Sequence, residues 1–207
     1  MTTYAELVQN IKDFIEDDGT EFSNEIDKFI DLTELKLSRD LNTPEFRKRA
    51  TAAFTANDPF LTMPTDFVVP EQLHVVSSNV RNILLLKSDE FINEYWPNRT
   101  STGVPKYYSY FDTSTIYVAP TPSSALAVEI AYKARLTALS SSNTSNWLSI
   151  NAADALLYGC LVEASIFNRN YPLQERYIGM YREAVQAINK EQQARLSTDN
   201  FYMKSEG

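Results

Sequence analysis

Between Arg47 and Asn146 the chain carries Pro59, Pro64, Pro70, Pro97, Pro105, Pro120 and Pro122, so no helix of ordinary length fits there. Proline lacks the N–H a helix needs and pushes the residue before it toward extended geometry. Short strands remain, and the apolar period agrees. Val128, Ile130 and Tyr132 alternate with Glu129, Ala131 and Lys133, as on a strand with one face buried. The spacing predicts strands at about 47–56, 67–77, 80–87, 106–111, 115–119 and 126–136, with one short helix over 89–96. Tyr107 to Phe111, the turn formers Asp112 to Ser114, and Thr115 to Val118 read as a β-hairpin.

Both flanks change period. Thr3-Tyr4-Ala5-Glu6 is a capping-box pattern, and Tyr4, Leu7, Val8, Ile11, Phe14 and Ile15 follow at helical spacing toward Asp18-Gly19, which predicts a helix over about 4–17. Phe22, Ile26, Phe29, Ile30, Thr33 and Leu37 continue a second apolar stripe that Leu41 and Pro44 close, so the two helices read as an antiparallel hairpin. After the polar loop 140–146, Asn151 is the expected N-cap of a helix striped by Leu156, Leu157, Cys160, Leu161 and Ala164. Tyr171-Pro172 starts the last helix, with Tyr177, Met180, Tyr181, Ala184, Val185 and Ile188 inward. The expected fold class is α+β: a helical bundle from residues 1–46 and 147–196, a mainly antiparallel β domain inserted at 47–146, and a mobile tail over 197–207.

Residues 1–46 hold twelve acids against four bases, and the other residues hold fifteen of each, so the formal charge of −8 sits in the first helical segment. No basic stripe exists to displace the counterions of a nucleic acid. The one cysteine, Cys160, lies in an apolar helical stripe and reads as a structural thiol. No run approaches the roughly 20 apolar residues that span a bilayer, and the first residues lack a signal-peptide pattern, so the expected place of synthesis is a cytoplasm.

Catalytic signatures are sparse. His74, the single histidine, has no second histidine or paired cysteine with which to bind zinc, no Gly-x-Ser-x-Gly elbow occurs, and the five glycines form no phosphate-cradling loop. The expectation is a protein that is not an enzyme and uses no cofactor or metal, with its function carried by surfaces. Three surfaces stand out. The acidic cluster containing Asp17, Asp18 and Glu21 and the basic triplet Arg47, Lys48 and Arg49 suit a head-to-tail contact between copies, since such contacts need two different complementary patches. Tyr107, Tyr108 and Tyr110 cannot all share one face of a strand, so the hairpin should expose aromatic surface, with Tyr108, Tyr110 and Asp112 as candidates. Leu196, Phe201, Tyr202 and Met203 place apolar groups in the polar C-terminal segment.

The order of several proline-flanked elements resembles the head-to-tail adaptor (connector) proteins of short-tailed and related tailed bacteriophages. The elements are Leu61-Thr62-Met63-Pro64-Thr65-Asp66-Phe67, Gly103-Val104-Pro105-Lys106-Tyr107-Tyr108, Ile116-Tyr117-Val118-Ala119-Pro120-Thr121-Pro122 and Val128-Glu129-Ile130-Ala131-Tyr132-Lys133, followed by paired C-terminal helices. The resemblance implies a ring, expected to be twelve-fold, in the virion neck. One side would dock on the portal protein through the C-terminal segment and the other would receive tail (nozzle or tail-tube) proteins. DNA would pass through the channel without specific binding, and assembly would take place in the host cytoplasm. Another neck or tail-completion protein, and a small hydrolase or ligand-binding domain, are the alternative readings.

Overall fold

The computed structural model describes the backbone of residues 2–41 and 43–202 and the side chains through residue 194. Two compact units form, residues 1–45 with 136–207 and residues 46–135.

The helical unit contains α1 (Tyr4–Ile15), α2 (Thr20–Asp40), α4 (Trp147–Asn151), α5 (Ala153–Phe167) and α6 (Tyr171–Tyr202). Thr3 and Glu6 close the expected capping box on α1, and Glu16 ends that helix in the left-handed region at φ 57°, ahead of Asp18-Gly19. Phe14, expected inward and placed by spacing on the same side as Leu7 and Ile11, is nonetheless 50% exposed, one residue before the end of α1. α5 is apolar on all sides, which makes it the centre of the unit: α1, α2 and α6 all pack on it. α1 and α2 therefore meet chiefly through α5 and not as a closed hairpin. Gly159 permits this approach, since a Cβ there would lie 2.3 Å from Thr33 Cγ2.

Asn151 does not cap α5. Asn146 caps α4 instead, accepting from the Ser149 N–H at 3.1 Å, and Asn151 turns back to donate to the Trp147 carbonyl. Residues 136–146 belong with the helices because the buried Glu34 carboxylate accepts from the Leu139 N–H and from Asn146 Nδ2 at 2.6 Å. Burial pushes the Glu34 carboxyl above its ordinary range despite those bonds. Asn170 receives the Leu173 N–H at the start of α6, and the expected inner face follows, with Tyr177, Tyr181, Ala184 and Ile188 buried. Helical backbone continues past Leu196 to Tyr202, since propagating an established helix costs little even where the apolar repeat has stopped. Cys160 is buried against the Phe29 carbonyl, and burial pushes its thiol up to about 12.

The β unit is a sandwich of two four-stranded sheets. The first has the order β1 (Arg47–Ala53), β10 (Ala127–Ala134), β3 (Phe67–Ser77), β4 (Val80–Ile83), antiparallel throughout. The second has the order β2 (Phe60–Thr62), β8 (Thr115–Ala119), β7 (Tyr107–Tyr110), β5 (Leu85–Leu86), in which the β5–β7 pair is parallel. Leu73, Val75, Val128, Ile130 and Tyr132 from the first sheet meet Leu61, Tyr108, Ile116 and Val118 from the second. The expected strand 80–87 is two strands, because buried Leu84 takes the chain from one sheet to the other. The short helix α3 (Asp89–Tyr95) covers the outer side of the second sheet, packing Ile92 on Tyr117 and Ala119. β6 (Thr102–Gly103) and β9 (Thr121–Pro122) form a small parallel ladder.

Candidate interaction surfaces

The basic triplet does not act as one patch. Strand alternation turns Lys48 and Ala50 toward the sandwich and leaves Arg47 and Arg49 on the outer face. Lys48 Nζ binds Asp66 Oδ2 at 2.7 Å, and Tyr132 donates its hydroxyl to the other oxygen at 2.9 Å. Lys48 foremost, then Tyr132, hold the Asp66 carboxyl below its ordinary value. Arg47 pairs with Glu71, so two of the three cations are matched within the chain. Arg49 alone of the three has no ionic partner among the described residues.

Register then places Arg49 opposite Ala131 and Ala131 opposite Gln72, with Glu129 next along, opposite His74. Ala131 is small and central, so the longer side chains around it leave a concavity of about 540 Å³ rimmed by Arg49, Gln72, His74, Arg81 and Glu129. Arg81 Nε closes on Glu129 Oε2 at 2.8 Å. His74 is a half-buried residue of β3, within the strand expected over 67–77.

At the acidic cluster, Asp17 is already engaged: one oxygen accepts from the Gly19 N–H at 2.9 Å and the other from Asn168 Nδ2 at 3.1 Å. Glu16, Asp18 and Glu21 are exposed, and none meets a basic side chain among the described residues.

The expected β7–β8 hairpin forms, with Tyr110 opposite Ile116 and Asp112 accepting from the Ser114 N–H at 2.7 Å to hold the turn. That bond keeps the exposed Asp112 carboxyl below its ordinary value. Tyr108 is not surface: it is 7% exposed, in the sandwich core, where burial raises its hydroxyl. Tyr110, on the same side of the strand but nearer the turn, is 42% exposed. The sequence reading missed a neighbouring aromatic group in which Phe60 meets Phe111 at 4.8 Å and Phe91 stacks on Tyr95 at 4.9 Å, with Tyr95 and Phe111 exposed. Phe91 and Tyr95, four apart on an expected helix, were the available signal. Leu196, Phe201 and Tyr202 fall within α6, but their side chains, and Met203 altogether, lie outside the described residues.

The architecture, helices from both ends of the chain and a mainly antiparallel β sandwich inserted between them in sequence, is of the α+β class expected from the residues. The family model of the SU10 adaptor protein matches residues 2–201. The chain belongs to that family. The SU10 adaptor family is one of phage head-to-tail adaptors, so this is a structural protein of the virion. No curated protein matches the chain.

Within this SU10 adaptor, the elements that carried the resemblance are structural. Leu61 and Met63 enter the sandwich core, Asp66 ties Lys48 to Tyr132, and the Lys106 N–H donates to the Ala119 carbonyl. No group of three or more His, Cys, Asp or Glu side chains suited to a metal occurs among the described residues, and no described helix is long and apolar enough to cross a membrane.

Proposed function

We propose that the chain is one subunit of a twelve-fold head-to-tail adaptor ring that docks beneath the portal protein and gives tail (nozzle or tail-tube) proteins their attachment platform. The family match over residues 2–201 carries this reading. The segment around Leu196, Phe201, Tyr202 and Met203, where the sequence concentrates apolar and aromatic residues, is the portal-binding element. The Tyr110 and Asp112 hairpin is the tail-facing or neighbour-facing element. The acid surplus of residues 1–46 suits a channel wall past which packaged DNA slides without sticking. Assembly takes place in the host cytoplasm.

The test is native mass measurement of the full chain, alone and mixed with the portal ring encoded in the same genome. The expected result is a stable complex with many copies per portal ring. Removing residues 197–207 is expected to abolish that complex while leaving the circular dichroism spectrum of the fold in place. Absence of any complex with the intact chain overturns the reading.

A further inference from the structure

The fold covers the outer side of one sheet and leaves the other open. Within the β unit α3 lies on the β2-β8-β7-β5 sheet, whereas on the outer side of the β1-β10-β3-β4 sheet Arg49, Gln72 and Arg81 are exposed. That open side is not apolar. It presents a concavity floored by Ala131, with Arg49, which has no ionic partner among the described residues, at its rim between two ion pairs, Arg47 with Glu71 and Arg81 with Glu129.

Such an arrangement selects its guest. A guanidinium presents a planar fork of donors that matches a carboxylate. The flanking carboxylates of Glu71 and Glu129 would repel a continuous polyanion such as a nucleic-acid backbone, but a short turn carrying one or two acidic side chains can enter between them, since each is paired with an arginine. Two copies of this face placed with Arg49 on a two-fold axis would set Arg49 against Arg49, and the carboxylates of the face, Glu71 and Glu129, are already taken by Arg47 and Arg81. The guest is therefore an acidic, protruding segment from a different surface.

The chain supplies one itself. Residues 46–135 carry nine bases and eight acids, whereas residues 1–45 carry four bases and twelve acids. At the α1–α2 turn, Asp18 and Glu21 are exposed and meet no basic side chain among the described residues, while Asp17 is engaged by Gly19 and Asn168. We infer that the concavity around Arg49 receives the α1–α2 turn of a neighbouring copy, with Asp18 and Glu21 pairing to Arg49. The contact is heterologous, joining two different patches, which is the kind that closes rings. This inference rests on the adaptor-ring reading and deepens it by assigning the contact between subunits to particular side chains. It separates Arg49 from Arg47 and Lys48, whose charges are used inside their own subunit, and Asp18 and Glu21 from Asp17.

The experiment uses the full chain and the portal ring, with ring filling followed by native mass measurement as adaptor concentration rises, at about 0.05 and about 0.5 M salt, either side of physiological screening. Wild type is expected to fill portal rings cooperatively, passing from empty to full with few partial rings. Arg49→Glu and the pair Asp18→Lys with Glu21→Lys are each expected to raise the concentration for half-filling by about tenfold or more and to spread occupancy over partial rings. Arg49→Ala should act in the same direction more weakly. Combining Arg49→Glu with both lysine substitutions in one chain is expected to recover most of the loss. The wild-type midpoint should rise with salt and that of Arg49→Ala should rise less.

None of these side chains has an ionic partner among the described residues, so circular dichroism and melting temperature should stay unchanged. Wild-type filling matched by Arg49→Glu, or a combined variant no better than its parents, overturns this inference and leaves the adaptor reading standing. A wild-type chain that neither binds the portal nor self-associates overturns both.

Discussion

The two units of this adaptor each hold a carboxylate by opposite means. In the helical unit Glu34 is taken out of water and bound only by neutral donors, Leu139 N–H and Asn146 Nδ2, so burial raises its carboxyl. In the β unit Asp66 stays partly exposed and faces a lysine, so its carboxyl is lowered. The first is a packing solution that tolerates a charge; the second is an electrostatic clip between a loop and two strands. A helix bundle closed around one central apolar helix leaves little room for solvent, whereas a two-layer sandwich has edges where ion pairs stay wet.

The contrast can be broken most strongly at Gly159. Adding one methyl in Gly159→Ala forces it against Thr33 Cγ2 and Tyr181, and overpacking of this kind is expected to cost the helical unit about 2 kcal/mol or more. Urea unfolding followed through Trp147, with Trp96 replaced by Phe, reads that unit alone; the matching Trp147→Phe chain, read through Trp96, should show the β unit's midpoint less affected.

Next in size is Glu34. Glu34→Ala leaves the Leu139 N–H and the Asn146 amide without their acceptor and is expected to cost about 2 kcal/mol. Glu34→Gln keeps an acceptor and removes the buried charge, so its loss should stay under about 1 kcal/mol. The comparison is the difference between the two urea midpoints.

The pH dependence sharpens the contrast at smaller energies. Because the folded Glu34 carboxyl is raised, its contribution to stability is fully present below the ordinary glutamate value and is lost as pH rises through the folded value. Asp66 runs the other way: its contribution is present above the ordinary aspartate value and is lost as pH falls through the lowered one. Glu34→Gln should flatten the first dependence and Asp66→Asn the second, measured as urea midpoint against pH. The Asp66 effect should be under about 1 kcal/mol, since Lys48 is half exposed and its pairing is screened. A Glu34→Gln chain that retains the full rise in stability on acidification would show that some other group carries it.

The same contrast explains what could be read in advance. The helices were legible because period 3.6 is a local property: the capping box at Thr3, the stripe from Phe22 to Leu37 and the inner face of α6 all stand where the residues put them. Strands with long alternation, such as β10, and the hairpin at Asp112 were equally clear. Short pieces were not. β2 and the β6–β9 ladder have two or three residues per strand, too few for a period, and they exist only because distant segments supply their hydrogen-bond partners. α4 was missed for a related reason, since Asn146 and Asn151 are both plausible caps and Glu34, far away in sequence, holds the amide of Asn146.

The sequence by itself determined the order of helices, strands and helices, the apolar faces, the concentration of acid in residues 1–46 and the resemblance to phage adaptors, because each depends on residue type and local spacing. Tertiary structure alone decided how that chemistry is distributed. It buried Tyr108 while exposing Tyr110, matched Arg47 and Lys48 to Glu71 and Asp66, and left Arg49 without an ionic partner among the described residues, beside a concavity at the small residue Ala131. Adjacent basic residues in a sequence look alike. Strand alternation and the partners brought up from other strands make them different, and those are properties of the folded sheet.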